Sequence, residues 1–438
     1  MTDVSAFRAL RYDPARVDLS RVIAPPYDVV TPEERAFYWD RDPHGAVRLE
    51  LTRDPGAEAA ADYHDVADTI AAWRREGVLR LDDEPALYAL RQRFRGPDGE
   101  PRVREGFFAA LRLEPYERRI VLPHERTLAG PKADRLKLLR ATRANLSPIF
   151  LLYEDPQHAL SELLTRSLDA GPAVTARDAA GVEHRLAALR DAAGVERVRS
   201  FLATRPVVIA DGHHRYETAL AYQDECRAAA TGAARDGVSR PCDFVLAYFA
   251  DAYAPGSLLL PIHRVVREVP APDDATWQAR LPGWSERRIP CPDPEQVAAL
   301  LAEHLAPLAA AQQAFIADDG SGTLRRFARP RRSAAAAGTA QDAEIGTRVI
   351  HTEVLSGVFG LDDTAVREGA VAFPKKAVEA ARDVRAGRGT VALYLNPLRP
   401  EDVFAVTAAG EVLPQKSTFF APKLPTGLCF RLLEDGSA

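Results

Sequence analysis

Two hydrophobic periods run along this chain. Residues 57–76 carry apolar side chains at helical spacing, with Gly77 as the stop. Thr31 followed by Pro32, Glu33 and Glu34 predicts another helix start, with a cap, a proline at the first helical position and acids in the first turn. Strands are expected where apolar runs are short and bounded by turn residues: 47–51, 86–94, 103–113, 149–153, 244–249 and 258–262. Gly96-Pro97-Asp98-Gly99 turns the second of these into the third. Residues 160–203 read as helix, strand and helix, 273–310 as helical, and 314–328 as a hairpin turning at 318–322. The alanine-rich stretch 329–343 reads as a mobile loop. A helix over 347–359 and a strand, helix, strand, turn and strand over 366–409 complete the pattern. The fold class is α/β (α+β) with more than one sheet.

This alternation divides into four expected parts: 1–155, 156–270, 271–345 and 346–438. Composition narrows the class. At 438 residues, 46% hydrophobic and 27% charged, the chain has ample material for a core. A net charge of −5 gives no global basic field, so nucleic acid is not the expected partner. No run of about 18 apolar residues argues for a membrane span. The first residues lack the pattern of a secretory signal, and Cys226, Cys242, Cys291 and Cys429 are too scattered for a disulfide framework. A cytoplasmic location and an optional homo-oligomer are the expectations.

One stretch carries more chemistry than packing needs. The β-branched run Val207-Val208-Ile209-Ala210 ends in Asp211-Gly212-His213-His214-Arg215, and an amphipathic helix follows. Free amides at a helix start attract anions, and Arg215 adds a forked cation suited to phosphate oxygens. The bland alternative makes Asp211 a helix cap and the histidines partners of turn carbonyls. Other polar clusters are Asp28 after Pro25-Pro26-Tyr27, His124-Glu125, Lys132 with Asp134 and Arg135, Asn145 with Ser147, His263, and Lys416-Ser417-Thr418. Gly410 through Ser417 is not a phosphate-binding P-loop, because Gln415 replaces the second glycine and Phe419, Phe420 and Pro422 oppose a following helix. His124-Glu125 lacks the second histidine of a metalloprotease helix.

These stretches resemble, in order and almost end to end, the bacterial and archaeal family known as domain of unknown function 1015. They include Pro25-Pro26-Tyr27-Asp28-Val29, Leu122-Pro123-His124-Glu125 and Asn145-Leu146-Ser147-Pro148. Residues 210–220, Pro261-Ile262-His263-Arg264 and Pro414-Gln415-Lys416-Ser417-Thr418 complete the likeness. Leu413 stands where methionine is expected. The 207–215 segment is also similar to the phosphate turn of the ParB/sulfiredoxin-like fold, which includes free serine kinases and CTP-binding partitioning proteins. That likeness implies a nucleotide-binding core with further α/β subdomains. It also implies that Asp211, His213, His214 and Arg215 hold nucleotide phosphates. An N-terminal acid would then activate the acceptor, with Asp28 assigned by its order along the chain.

The residue inventory suffices for phosphoryl transfer, which needs cations on the transferring group and a carboxylate at the nucleophile. Asp28, His124, Glu125 and His214 are the catalytic candidates. Asp211, Gly212, His213, His214, Arg215, Lys132, Arg135, Lys416, Ser417 and Thr418 are the nucleotide and phosphate candidates. Asn145, Ser147 and His263 would grip the acceptor, and Asp134 and Asp211 would hold Mg²⁺. The expected activity is an ATP- or ADP-dependent kinase acting on the hydroxyl of a small metabolite, free L-serine or a serine-like amino acid first. A CTP-type regulatory protein and a phosphate-ester hydrolase are the alternatives.

Overall fold

The computed structural model describes residues 1–125, 130–229, 239–331, 345–414 and 416–433. It divides into two compact units. The first gathers Met1–Pro123, Thr127–Leu258 and Pro422–Ala438, and the second His124–Arg126 and Leu259–Ala421. The first unit therefore runs across the boundary expected at 155, and it recovers the end of the chain.

Among the described residues, the first unit holds a nine-stranded mixed sheet. Its strands are β1 (Val4–Ser5), β2 (Leu87–Arg95), β3 (Pro101–Arg112), β4 (Val121–Pro123), β5 (Ile149–Tyr153), β6 (Ala173–Arg177), β7 (Glu183–Leu189), β8 (Val207–Asp211) and β9 (Phe244–Asp251). They lie in the order β4-β8-β5-β9-β3-β2-β7-β6, with β1 on β3. Strand β8 runs parallel to β4 and antiparallel to β5, while β5 and β9 are parallel. All eight residues of β9 are buried, as a central strand covered on both faces requires. Alternate residues Phe107, Ala109, Ile149, Leu151, Val207, Ile209, Val245 and Phe249 build one face of the core.

Among the described residues, the longer helices of this unit are α1 (Pro32–Arg41), α2 (His64–Arg75), α3 (Gly130–Thr142), α4 (Ser161–Ala170), α5 (Ala192–Leu202) and α6 (His213–Ala229). Thr31 makes the expected cap, its Oγ1 accepting from Glu34 N while Thr31 N donates to Glu34 Oε2. Residues 47–51 are not a strand. Ala46–Leu49 is a 3₁₀ turn, with Glu50 N and Leu51 N both donating to Val47 O. Carbonyls used locally in this way are not available to a neighbouring strand. The helix expected from residue 57 begins at His64, because Tyr63 takes φ 63° and breaks it. Residues 160–203 contain two strands between the helices, not one, joined at Gly181 with φ 84°.

The second unit has a six-stranded sheet among its described residues: β10 (Arg264–Val266), β11 (Ser285–Pro290), β12 (Gln312–Asp318), β13 (Thr323–Pro330), β14 (Val371–Ala372) and β15 (Val391–Leu395). The order is β11-β13-β12-β15-β10-β14. Alternation divides its apolar residues between two faces. Phe315, Phe327 and Leu393 pack with Trp277, while Ile316, Leu324 and Tyr394 pack with Val297 and Ala380. The hairpin expected over 314–328 is present as β12 and β13. The helical expectation for 273–310 misses β11. This edge strand is mostly exposed and rich in charge, so it lacks an apolar alternation. The last strand expected in 366–409 is a helix, Pro400–Ala408, started by Arg399 and Asp402 around a proline at its first turn. Most of the loop expected at 329–343 lies outside the described residues.

Candidate functional site

Strand β8 ends in a bulge. Its register against β5 shifts between Ile209 and Asp211, so the Asp211 side chain leaves the regular alternation. Gly212 then takes φ 92°, and a Cβ there would sit 3.1 Å from the Arg215 guanidinium carbon. Both facts call for glycine. Helix α6 starts at His213, so the phosphate turn read from the sequence is a strand end, a left-handed glycine and a helix N-terminus.

Arg215 folds back over this turn. Its Nη2 donates to Asp211 Oδ2 at 2.5 Å and stands 3.9 Å from Asp28 Oδ2. Its Nη1 donates to the Pro148 carbonyl. Lys423, from the returning C-terminal segment, pairs with the other Asp211 oxygen. Burial alone would raise the Asp211 pKa, but Lys423 and Arg215 outweigh it and hold the carboxyl well below the ordinary range. Asp28 goes the other way. Desolvation by the surrounding chain, then the Asp211 charge, push it up against Arg215 and Lys423. Asp28 nevertheless keeps 37% of its side chain exposed, against 15% for Asp211. The two carboxylates thus divide the roles: Asp211 is a fixed anion that organises two cations, and Asp28 is an accessible one with raised basicity.

The N-terminal segment is locked in place for this. Ala24 forms a bridge with Thr426, and Tyr27 lies beneath Arg135, 4.4 Å from guanidinium carbon to ring centroid. Burial pushes the Tyr27 phenol up to about 12. Lys423 is positioned from the sheet: Arg104, fully buried, donates to Gln92 Oε1 and to the Pro422 carbonyl, and Gln92 Nε2 donates to Lys423 O at 3.4 Å.

The other expected residues divide into two groups. In the first unit, Lys132 pairs with Glu217 on α6. Burial lowers the His214 pKa, with Glu217 opposing and Lys132 reinforcing. Arg135 is buried between Asp134, Tyr63 OH and the Glu50 carbonyl. Asp134 accepts from Tyr63 OH at 2.7 Å through Oδ1 and from Arg135 through Oδ2, so it is tied to both. Ser147 donates to Glu50 Oε2 at 2.9 Å, and Asn145 Oδ1 accepts from Leu246 N at 3.0 Å. Among the described residues, no group of three or more His, Cys, Asp or Glu side chains is placed to hold a metal ion. Asp28 has the exposure to share an ion that arrives with phosphates, as Mg²⁺ commonly does.

The second unit holds His124, Glu125, His263, Lys416, Ser417 and Thr418. His124 Nε2 meets Thr418 Oγ1 at 2.6 Å, and Glu125 Oε1 accepts from Lys416 N at 3.2 Å. Ser417 Oγ donates to the Pro414 carbonyl at 2.5 Å. Buried Arg264 donates to Lys416 O at 3.3 Å, which helps hold Lys416 at φ 57°. His263 accepts from Leu395 N at 3.4 Å, and burial pulls its pKa down to about 3.

Sequence reasoning passed over Glu50, Tyr63, Thr426 and Thr218, and it noted Lys423 in the polar stretch Pro422-Lys423-Leu424 without giving it a role. Lys423 meets Asp211 across 212 positions, a separation that no local pattern encodes. Buried Glu50 sits in a segment read as a strand, where an acid signals nothing.

A family model described as "Protein of unknown function (DUF1015)" matches residues 4–318. No curated protein matches the chain. A conserved hypothetical protein from Pyrococcus furiosus is similar in structure at 13% identity and TM-score 0.33, over 75% of this chain and 96% of that one. A mutant free serine kinase in complex with ADP is 12% identical at TM-score 0.33, over 74% of this chain and 92% of its own. SbnI from Staphylococcus aureus with a C-terminal truncation is 14% identical at TM-score 0.33, over 72% and 84%. No helix of the described residues is long and apolar enough to cross a membrane.

Proposed function

The chain belongs to the DUF1015 family, and we propose that it is a nucleotide-dependent kinase for the hydroxyl of a small metabolite. A serine-like amino acid is the acceptor class put forward, ATP or ADP the phosphoryl donor, and a ParB/sulfiredoxin-like core the frame. The observation that carries the reading is the pairing of two unlike carboxylates at a helix N-terminus. Asp28 is accessible beside Arg215, which is anchored through Asp211, and desolvation and the Asp211 charge push its pKa up.

In the proposed step, Asp28 takes the proton from the acceptor hydroxyl as that oxygen forms a bond to the terminal phosphorus. The bond from phosphorus to the bridging oxygen breaks, and the nucleotide departs one phosphate shorter, carrying the negative charge. The backbone N–H groups at the start of α6, with Arg215 and Lys423 behind them, face that charge. His213 and His214 stand on the same turn. Mg²⁺ bound with the phosphates would supply further charge neutralisation.

The test is transfer of labelled phosphate from nucleotide to a panel of small alcohols by the wild-type protein, Asp28→Asn and Arg215→Ala. A phosphomonoester formed only by the wild type supports the reading. Inorganic phosphate released without any acceptor would instead assign a hydrolase. Undiminished transfer by both variants would remove the site assignment.

A further inference from the structure

A cavity of about 50 Å³ lies behind Arg215 in the first unit, lined on its polar side by Glu50, Arg135, Asn145, Ser147, Arg215 and Thr218. At roughly 10–15 Å³ for each water-sized group, it has room for about three to five such groups. Leu138, Leu139, Ile149 and Val245 form its apolar lining.

Two residues of this lining each carry an unmatched buried polar atom. Thr218 is only 4% exposed, yet its Oγ1 has no hydrogen-bond partner, and neither does Arg215 Nε. Residues 215 and 218 are three apart on α6 and share a face. A guanidinium Nε–H can only donate, and a threonine hydroxyl can donate as well. Unmatched buried donors are unfavourable, so two of them on one helix face suit an acceptor with more than one oxygen. Glu50 supplies the opposite character. It is 4% exposed, and both hydroxyls that bond it, from Ser147 and Thr426 at 2.9 Å, fall on Oε2. Oε1 takes neither bond, which suits it to a cationic donor. The lining thus combines arginine N–H groups with a carboxylate. A bare anion would meet Glu50, and a bare cation would meet Arg135 and Arg215.

We infer that this cavity seats the zwitterionic head group of an α-amino acid. The carboxylate lies on Arg215 Nε and Thr218 Oγ1, and the ammonium on Glu50. The same guanidinium faces Asp28 through Nη2, so a short hydroxyl-bearing side chain runs from the head group toward the candidate base. This assigns Glu50 and Thr218 as specificity residues, and its link to phosphoryl transfer rests on the kinase reading.

The experiment is calorimetric titration of the full chain, without nucleotide, with L-serine, L-threonine and L-homoserine. Ethanolamine, which lacks the carboxylate, and glycolate, which lacks the ammonium, are the controls. At least one hydroxy amino acid is expected to bind about tenfold or more tighter than either control. Thr218→Val should weaken that binding by about tenfold and leave the melting temperature unchanged or raised, because it removes an unmatched hydroxyl. A merely structural threonine would lower it. Equal binding of the controls, no binding of any amino acid, or unaltered binding by Thr218→Val would overturn the inference and leave a cavity for water only. The two readings fail separately. Amino-acid binding without any phosphoryl transfer removes the kinase and keeps the head-group site. Transfer to ethanolamine as fast as to L-serine does the reverse.

Discussion

The turn after β8 in the first unit and the strand start at 263–264 in the second both bury ionisable groups at the end of a sheet, with opposite results. At the first, Arg215 Nη2 and Lys423 each pair with one oxygen of Asp211, and Asp28 beside them remains accessible with its pKa pushed up. At the second, His263 is 4% exposed and bonded to a backbone amide, and Arg264 is spent on the carbonyls of Ile262 and Lys416. Burial lowers Arg264 to about 10. Perturbed ionisation is therefore common to both regions, and accessibility separates them. A perturbed group that is buried and bonded holds a loop, whereas a perturbed group with open surface can exchange a proton with a ligand.

The largest effect should come from removing the accessible acid. Asp28→Asn is expected to lower kcat by about 10²–10⁴-fold, the usual range for a general base, with nucleotide binding kept. The stability of this variant sharpens the point. Because the folded pKa of Asp28 lies above its unfolded value near 3.8, ionising it penalises the native state as pH rises through that interval. Asp28→Asn should therefore melt higher than wild type at pH 7 and equally at pH 3, as read by thermal denaturation. In the wild type, the acid limb of kcat/KM should lie above the ordinary aspartate range.

Arg215→Ala should be next. Losing a mostly buried partner of Asp211 is expected to destabilise by about 3 kcal/mol, seen as a lower denaturant midpoint. Arg215→Lys should not restore activity, since one ammonium cannot reach the Pro148 carbonyl, Asp211 and the cavity together.

His263→Gln should have the smallest catalytic effect, within about twofold on kcat, with stability lowered by about 1–2 kcal/mol at pH 7 as the Leu395 amide loses its acceptor. The wild type loses stability as pH falls from 6.5 toward 3, because the unfolded histidine takes a proton that the folded one refuses. The variant should show a flatter decline over that window. A collapse of kcat in His263→Gln with normal stability would erase the contrast between the two regions.

Much of the scaffold is legible in the sequence. The run 207–210, the turn at 96–99 and the hairpin at 318–322 signal themselves through β-branched residues and glycines, and the structure contains all three. The capping box at Thr31 is equally local. What escapes is non-local or carries no period. The strand Ser285–Pro290 is an exposed charged edge, and Glu50 is an acid whose partners come from Ser147 and Thr426. At the site, the turn residues themselves were visible as a motif. Lys423, Tyr27 under Arg135 and the unmatched Thr218 hydroxyl exist only once the sheet has closed and the C-terminal segment has returned. The division of the remaining polar clusters between two units was likewise invisible, because it depends on which strands pair.

The most direct test of the central claim is phosphorus NMR of wild type and Asp28→Asn incubated with Mg²⁺, ATP or ADP and a panel of small hydroxyl compounds that includes L-serine. The account predicts a new phosphomonoester resonance with at least one acceptor in the wild type. It also predicts that Asp28→Asn abolishes this resonance while still binding the nucleotide. No phosphomonoester with any acceptor, or equal product from both proteins, would contradict it.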